Sequence, residues 1–263
     1  MIETKKAFDA KEHKDKIVAW IRDWFVANGP NCKAVVGISG GKDSTIVAGL
    51  CVEALGKDNV IGVLMPNGYQ SDLDDAIRVC HTLEIKYTIQ PIGSAYKAIL
   101  SGMENPAYGG ISELTPSIQT KINLAPRLRM TMLYAISQTV GGRVACTDNL
   151  SEAYIGYSTR WGDNVGDFAP IVNYTASEVI AIGDALGLPQ DLVHKTPSDG
   201  LCGMTDEDNF GFTYKQLDSF IRTGESGDEK ADKLIWDKHV RNYFKSVVGL
   251  PHPYSLLGAH GWV

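Results

Sequence analysis

Apolar positions along this chain recur with two periods, and the switches between them outline its elements. Over residues 7–28, Ile17, Trp20, Ile21, Trp24 and Phe25 fall at helical spacing and Gly29-Pro30 stops the run, which predicts an amphipathic helix packed on the core. Ala34, Val35, Val36 and Ile38 then suit a buried strand, Ser39-Gly40-Gly41 a tight turn, and residues 45–55 a helix closed by Gly56. Further strands are expected at 59–65, 86–90 and 143–147. Helices are expected at 71–83 with Ser71 as N-cap, at 95–100, and at 117–140 with Gly141-Gly142 as terminator. Residues 102–116, rich in Gly, Pro and Asn, read as a loop. So do residues 196–212, which hold Gly200, Gly203 and Gly211 among acids with no packing period, before closing helices at 213–221 and 228–244. Alternating strands and helices predict an α/β fold: a doubly wound parallel sheet with helices on both faces and ligands beyond the carboxyl ends of the strands. Residues 39–44 and 147–152 would share that edge.

Composition narrows the partners. The 263 residues are 44% hydrophobic, enough for a full core, and no apolar run approaches the ~20 residues that span a bilayer. The charged N-terminus does not suit a signal peptide, so a cytoplasmic protein without a membrane partner is expected. A net charge of −6 argues against a nucleic-acid partner. Five widely spaced cysteines without a CxxC pair, and six scattered histidines, suggest neither a disulfide framework nor a zinc site.

The candidate chemistry starts at the glycine turn. Two adjacent glycines admit close backbone approach, and amides at a following helix N-terminus favour an anion, of which phosphate is the obvious choice. Lys42 is followed by Asp43 and position 36 is Val, so the turn is not a Walker loop. Beside a phosphate, Asp43 needs a cation between them, which makes it a candidate Mg2+ ligand. Asp72, Asp74 and Asp75 could be taken for a metal cluster, but complementing a helix dipole is the simpler reading. Ser39-Gly40-Gly41-Lys42-Asp43-Ser44 resembles the SGGxDS pyrophosphate loop of the ATP pyrophosphatases.

Later segments make that resemblance specific to the NAD synthetases. Asn123, Arg127, Arg129 and Met130 are similar to their NxxxRxRM segment, and Thr147, Asp148 and Glu152 to GTDxxxE. Gly156, Thr159, Arg160, Gly162, Asp163, Asp167 and Pro170 resemble GxxTKxGDxxxD..P. Lys195, Pro197 and Ser198 resemble KxPSAxL, and Thr205, Asp206, Glu207, Gly211 and Tyr214 resemble the TDE..GxsY stretch. The resemblance implies an adenine nucleotide alpha hydrolase-like, Rossmann-like fold and one NAD synthetase domain over residues 1–263, without a glutaminase domain. It implies deamido-NAD, ATP and ammonia converted through an acyl adenylate to NAD, AMP and pyrophosphate, with Mg2+ on Asp43 and Glu152 and a homodimer.

By the same carry-over, Gly37, Ile38, Ser39, Gly40, Gly41, Lys42, Asp43, Ser44, Thr147 and Ser198 contact ATP. Arg127, Arg160, Asp167 and Lys245 contact deamido-NAD, and Asp43, Lys42 and Asp163 are the catalytic candidates. Asp163 reads equally as a base for the ammonium proton and as a turn cap. The chain departs from the pattern at Ala176, where a Lys is usual, so Lys42 or Lys195 would supply that charge. Cys146 replaces a common Gly, and Lys245 stands in a weak version of a C-terminal His-Lys-Arg run. Residues 196–212 resemble a lid over bound nucleotide. The alternatives are another pyrophosphate-loop enzyme such as a tRNA thiolase, against which the missing CxxC and basic face count, or an ATP-binding module without turnover.

Overall fold

Side chains of a strand point alternately to opposite faces, and in the computed structural model that alternation builds two cores. The structure describes residues 8–69, 72–104, 114–195 and 206–246. The elements run α1 (Ala10–Asn28), β1 (Lys33–Gly37), α2 (Lys42–Leu55), β2 (Val60–Leu64), α3 (Leu73–Thr82), β3 (Lys86–Ile89), α4 (Gly93–Glu104), α5 (Ile118–Val140) and β4 (Gly142–Val144). After the sheet come α6 (Leu150–Ile155), α7 (Ala176–Ala185), α8 (Gln190–Val193), α9 (Asp206–Phe210), α10 (Tyr214–Thr223) and α11 (Glu229–Asn242). The four strands are all parallel, in the order β3-β2-β1-β4.

Ala34, Val36 and Ile38 face a core made with Ile21 and Phe25 of α1, Ile46 and Leu50 of α2, Val79 of α3 and Ile182 of α7. Val35, Val63 and Val144 face the other way, onto Ala125, Met130 and Leu133 of α5. The doubly wound parallel sheet expected from the sequence is therefore present. Successive strands β1, β2 and β3 run out one way and β4 returns to the other side of β1, so the order reverses between β1 and β4. In such sheets ligands bind beyond the carboxyl ends of the strands at that reversal. A third cluster, with Ile155, Ala176, Phe210, Tyr214, Leu217 and Ile235, joins α6, α7, α9, α10 and α11.

Several boundaries differ from the sequence reading. Helix α1 starts at Ala10 because Asp9 caps it, its Oδ1 accepting from Glu12 N at 3.0 Å; Ala7 lies outside the described residues. Helix α2 starts at Lys42, not residue 45, with Gly41 as N-cap, so Lys42 and Asp43 occupy its first turn. Strand β4 begins at Gly142 and ends at Val144; Gly141 alone caps α5, with φ +67°. Beyond β4 the chain leaves the sheet through a single bridge from Ala145 to Phe168. Helix α4 is longer than expected, and α9 is helical within a stretch read as loop. Ser71 lies outside the described residues; the residue before α3 is Asp72, whose side chain makes no capping bond.

Candidate active site

The turn between β1 and α2 is held by its own hydroxyls. Ser39 N and Ser39 Oγ lie 3.3 and 3.0 Å from Ser44 Oγ, Gly41 N donates to Ser39 Oγ at 3.2 Å, and the Ser44 and Thr45 hydroxyls donate to Gly41 O at 3.2 and 2.8 Å. Gly40 sits at φ +80°, and a Cβ there would meet the Asp72 carbonyl oxygen at 2.7 Å. Only glycine lets the turn lie this close to α3. The first amides of α2 have no partner within the helix, which leaves them for an anion.

Carboxylates crowd around that helix start. Asp43 Oδ2 accepts from the Lys42 ammonium at 2.6 Å, and Asp43 Oδ1 accepts from Asn149 Nδ2 at 3.2 Å. Burial pushes Glu152 up to about 7; the Asp43 charge adds to this and Lys42 opposes it. Asp148, which hydrogen-bonds Glu152, is raised well above the usual carboxylate range by its own burial and then by Glu152 and Asp163. Burial works to lower Lys42, yet Asp43, Glu152 and Asp206 together hold it above the ordinary lysine value. Asp206 accepts from the Tyr157 and Tyr214 hydroxyls at 3.2 and 3.1 Å, and the Lys42 ammonium lies 5.7 Å from the centre of the Tyr214 ring. Asp43, Glu152 and Asp206 thus surround one buried ammonium, and a divalent cation beside Asp43 and Glu152 would favour their ionised forms. No group of three or more acidic, His or Cys ligands forms among the described residues. The Asp43–Glu152 pair nevertheless fits Mg2+, which takes one or two carboxylates and completes its shell with phosphate and water.

Next to this cluster is a cleft of about 730 Å3 between α1 and residues 158–174, lined by Trp20, Trp24, Asp148, Arg160, Asp167 and Lys245 among others. The Arg160 guanidinium lies over the Trp161 and Phe244 rings, 5.0 and 5.7 Å from their centres. Trp161 has φ +64°, a strained conformation for a bulky residue, held by Trp161 N donating to Asn164 Oδ1 at 3.1 Å and Gly162 N to Thr159 O at 2.8 Å. The Lys245 ammonium donates to Gly156 O at 2.8 Å and Ser158 O at 3.1 Å, and burial lowers it from the ordinary lysine value.

Arg160, Asp167 and Lys245 therefore share one cleft, while Arg127 is exposed beside it and donates from Nε to Arg160 O at 3.2 Å. Asp167 Oδ2 accepts from Val144 N at 2.7 Å, which ties the cleft wall to β4. Asp163 Oδ1 accepts from Thr159 N at 2.6 Å, so its turn-capping role is present; burial raises its carboxyl and the Thr159 bond opposes this. Gly37 ends β1 and Ile38 follows it, and Thr147 is half-buried after β4. Ser198 lies outside the described residues, as does most of the 196–212 stretch. Ala176 is buried, and its N–H donates to Ser151 Oγ at 2.9 Å.

Three features escaped the sequence reading. Trp20 was expected in the core but is 42% exposed, and with Trp24 it lines the cleft. Asp148 joins the cleft to the carboxylate pair; its adjacency to Thr147 in the quoted motif was the available signal. Lys195 is engaged by carboxylates and does not stand free for a phosphate. Its ammonium binds Asp72 Oδ1 at 2.8 Å and Asp75 Oδ2 at 2.6 Å, so these acids hold a lysine as well as starting a helix.

The sheet reversal, the glycine turn on β1 and the acids after β4 define a doubly wound α/β protein of the adenine nucleotide alpha hydrolase-like class. Residues 14–249 match the NAD synthase family. An NH3-dependent NAD+ synthetase from Methanococcus aeolicus is 41% identical over 77% of this chain and 79% of its own length. Among solved structures, an NMN synthetase from Francisella tularensis superposes with a TM-score of 0.82 at 34% identity, covering 94% of this chain and all of that one. An NH3-dependent NAD synthetase from Campylobacter jejuni superposes with a TM-score of 0.75 at 28% identity over 95% of this chain and all of its own. This chain belongs to the NAD synthase family and is a ligase, which sets aside the RNA-thiolating and non-catalytic alternatives.

Proposed function

We propose that this chain amidates deamido-NAD with ammonia, using ATP and releasing NAD, AMP and pyrophosphate. What carries the reading is the adjacency of an anion-binding turn with its carboxylate pair to a cleft that collects Arg160, Asp167 and Lys245. A nicotinate carboxylate is a poor electrophile because oxide would have to leave. Its oxygen therefore attacks the α-phosphorus of ATP, forming a C–O–P link as the bond to pyrophosphate breaks. Ammonia then adds to the acyl carbon, AMP leaves with that oxygen, and the nitrogen sheds a proton. Mg2+, held by Asp43 and Glu152, would neutralise charge on the phosphate oxygens.

In this reading Ser39, Gly40, Gly41 and Ser44 hold the departing pyrophosphate through main-chain N–H groups and hydroxyls, Gly37 and Ile38 line the approach to the turn, the Ile38 N–H being bonded to Val63 O at 3.0 Å, and Thr147 and Ser198 are further ATP contacts. Lys42 supplies the charge that the family pattern puts at position 176: its ammonium reaches the Tyr214 ring, and Tyr214 shares a cluster with Ala176. Arg127, Arg160, Asp167 and Lys245 orient deamido-NAD, and guanidinium groups suit its phosphates and carboxylate. Asp163, held by Thr159 beside Lys245, takes the ammonium proton. A single NAD synthetase domain, free ammonia as nitrogen source, a homodimer and a cytoplasmic location belong to the same proposal.

The test is to supply deamido-NAD, ATP, Mg2+ and ammonium and to look for NAD with equimolar AMP; AMP without NAD would overturn the amidation step. A second reading has one observation in its favour, the higher identity and TM-score of the F. tularensis NMN synthetase over the C. jejuni enzyme. In that reading the acceptor is the nicotinate mononucleotide, and comparing kcat/KM on the two acceptors decides between them. Arg160→Ala is expected to raise KM for deamido-NAD about 10-fold or more, the loss of a charged hydrogen bond of about 1.5–3 kcal/mol, with KM for ATP little changed. Equal losses for both substrates would remove Arg160 from the acceptor site.

A further inference from the structure

Gly40 and Gly41 let the turn approach a phosphate, but they also leave the peptide between them without the Cβ atoms that would fix its orientation. Without a Cβ on either side, that peptide can flip with little steric cost, and the carbonyl and N–H of a trans peptide point opposite ways. A flip would turn the Gly40 carbonyl oxygen toward the anion and the Gly41 N–H away from it. The Lys195 ammonium stands on the far side. Its Nζ lies 3.2 Å from Gly40 O, 2.8 Å from Asp72 Oδ1 and 2.6 Å from Asp75 Oδ2, so its three donors have three acceptors. On the near side, Gly41 N–H points to Ser39 Oγ at 3.2 Å.

We propose that Lys195 is a positioning residue for ATP: it locks the Gly40–Gly41 peptide with its carbonyl toward α3 and its N–H toward the phosphate site. This deepens the ATP-dependent reading above and rests on it. Asp72 and Asp75 aim the ammonium at the Gly40 carbonyl, and the ammonium offsets their charge behind the turn. The ion pairs themselves contribute little to stability. The Lys195 side chain is 25% exposed and those of Asp72 and Asp75 are 31% and 38% exposed, and pairs this open are worth about 0–1 kcal/mol. Function and folding can therefore be separated at this position.

The experiment compares Lys195→Met, Lys195→Arg, Asp75→Asn and the double variant Lys195→Met/Asp75→Asn with the wild type. Asp74→Asn, exposed in the same helical turn and outside the lysine's contacts, is the charge control. Two quantities are read: KM for ATP against KM for deamido-NAD, and the Kd of inorganic pyrophosphate with Mg2+ by calorimetry. Lys195→Met is expected to raise KM for ATP and Kd for pyrophosphate about 10-fold, equivalent to about 1.4 kcal/mol, with KM for deamido-NAD and Tm unchanged. Lys195→Arg should restore part of the loss, the double variant should be no worse than Lys195→Met, and Asp74→Asn should match the wild type. Unchanged pyrophosphate affinity in Lys195→Met, or both KM values rising together with a fall in Tm, would overturn the proposal. Failure of the broader reading looks different: the wild type would then make no NAD, whatever Lys195 does to pyrophosphate.

Discussion

Asp43→Asn is expected to lower NAD formation about 10³-fold, the equivalent of about 4 kcal/mol of charge stabilisation, while the chain stays folded. The substitution keeps the shape of the side chain and removes its charge. Both neighbours of Asp43 are donors, Lys42 Nζ at 2.6 Å and Asn149 Nδ2 at 3.2 Å, so the amide can satisfy only one of them. The lost bond costs about 1–3 kcal/mol. Against this, the variant relieves repulsion on Glu152, whose carboxyl is raised to about 7 by burial first and the Asp43 charge next.

The sign of the pH dependence follows. A carboxyl with a raised folded pKa keeps its proton in the native state where the unfolded chain has lost it, so stability falls as pH rises from about 4.3 toward 7. At pH 5 Glu152 is protonated and there is no repulsion to relieve; at pH 8 it is ionised and there is. The stability deficit of Asp43→Asn should therefore be larger at pH 5 than at pH 8, read by urea denaturation at both. Turnover within about tenfold of wild type would remove Asp43 from the metal site.

The sheet could be read in the sequence because each strand carries its own signal. Val35 and Val36 are apolar on both faces, as a strand covered by helices requires, and the glycine turn follows directly. The helix start was misread because Lys42 and Asp43 look like loop residues. They enter α2 because the Gly41 carbonyl accepts from Thr45 N and Thr45 Oγ1, an arrangement set by the turn and not by helix propensity. Contacts between distant segments left no local trace. Lys195 meets Asp72 and Asp75 across more than a hundred residues, and Asp206 meets Tyr157 across 49. Trp20 and Trp24 obey the helical period perfectly well. Periodicity marks the face they share, and what lies opposite that face is decided by residues 158–174, which no pattern in α1 encodes.

Gly40→Ala is expected to fail in both folding and ATP use, and a companion glycine separates the causes. Gly40 and Gly56 have nearly the same φ, +80° and +81°, but a Cβ on Gly56 would have nothing within 4 Å. On Gly40 it would lie 2.7 Å from Asp72 O and 3.0 Å from Ala76 N, the main-chain pair whose hydrogen bond opens α3. Backbone strain of about 1–3 kcal/mol is common to both variants. Overpacking of about 1–3 kcal/mol is added only at Gly40, because a helical backbone cannot step aside as a flexible side chain can. Gly40→Ala should therefore lose about 2–6 kcal/mol and Gly56→Ala about 1–3, which for a chain of this size separates their Tm values by several degrees. The collision also moves the turn off α3 and breaks its alignment with Lys195 Nζ, so kcat/KM for ATP should fall about 10²-fold in Gly40→Ala and stay near wild type in Gly56→Ala. If the two variants melted together and used ATP equally well, the turn would not be seated on α3 and its close packing would have no part in gripping phosphate.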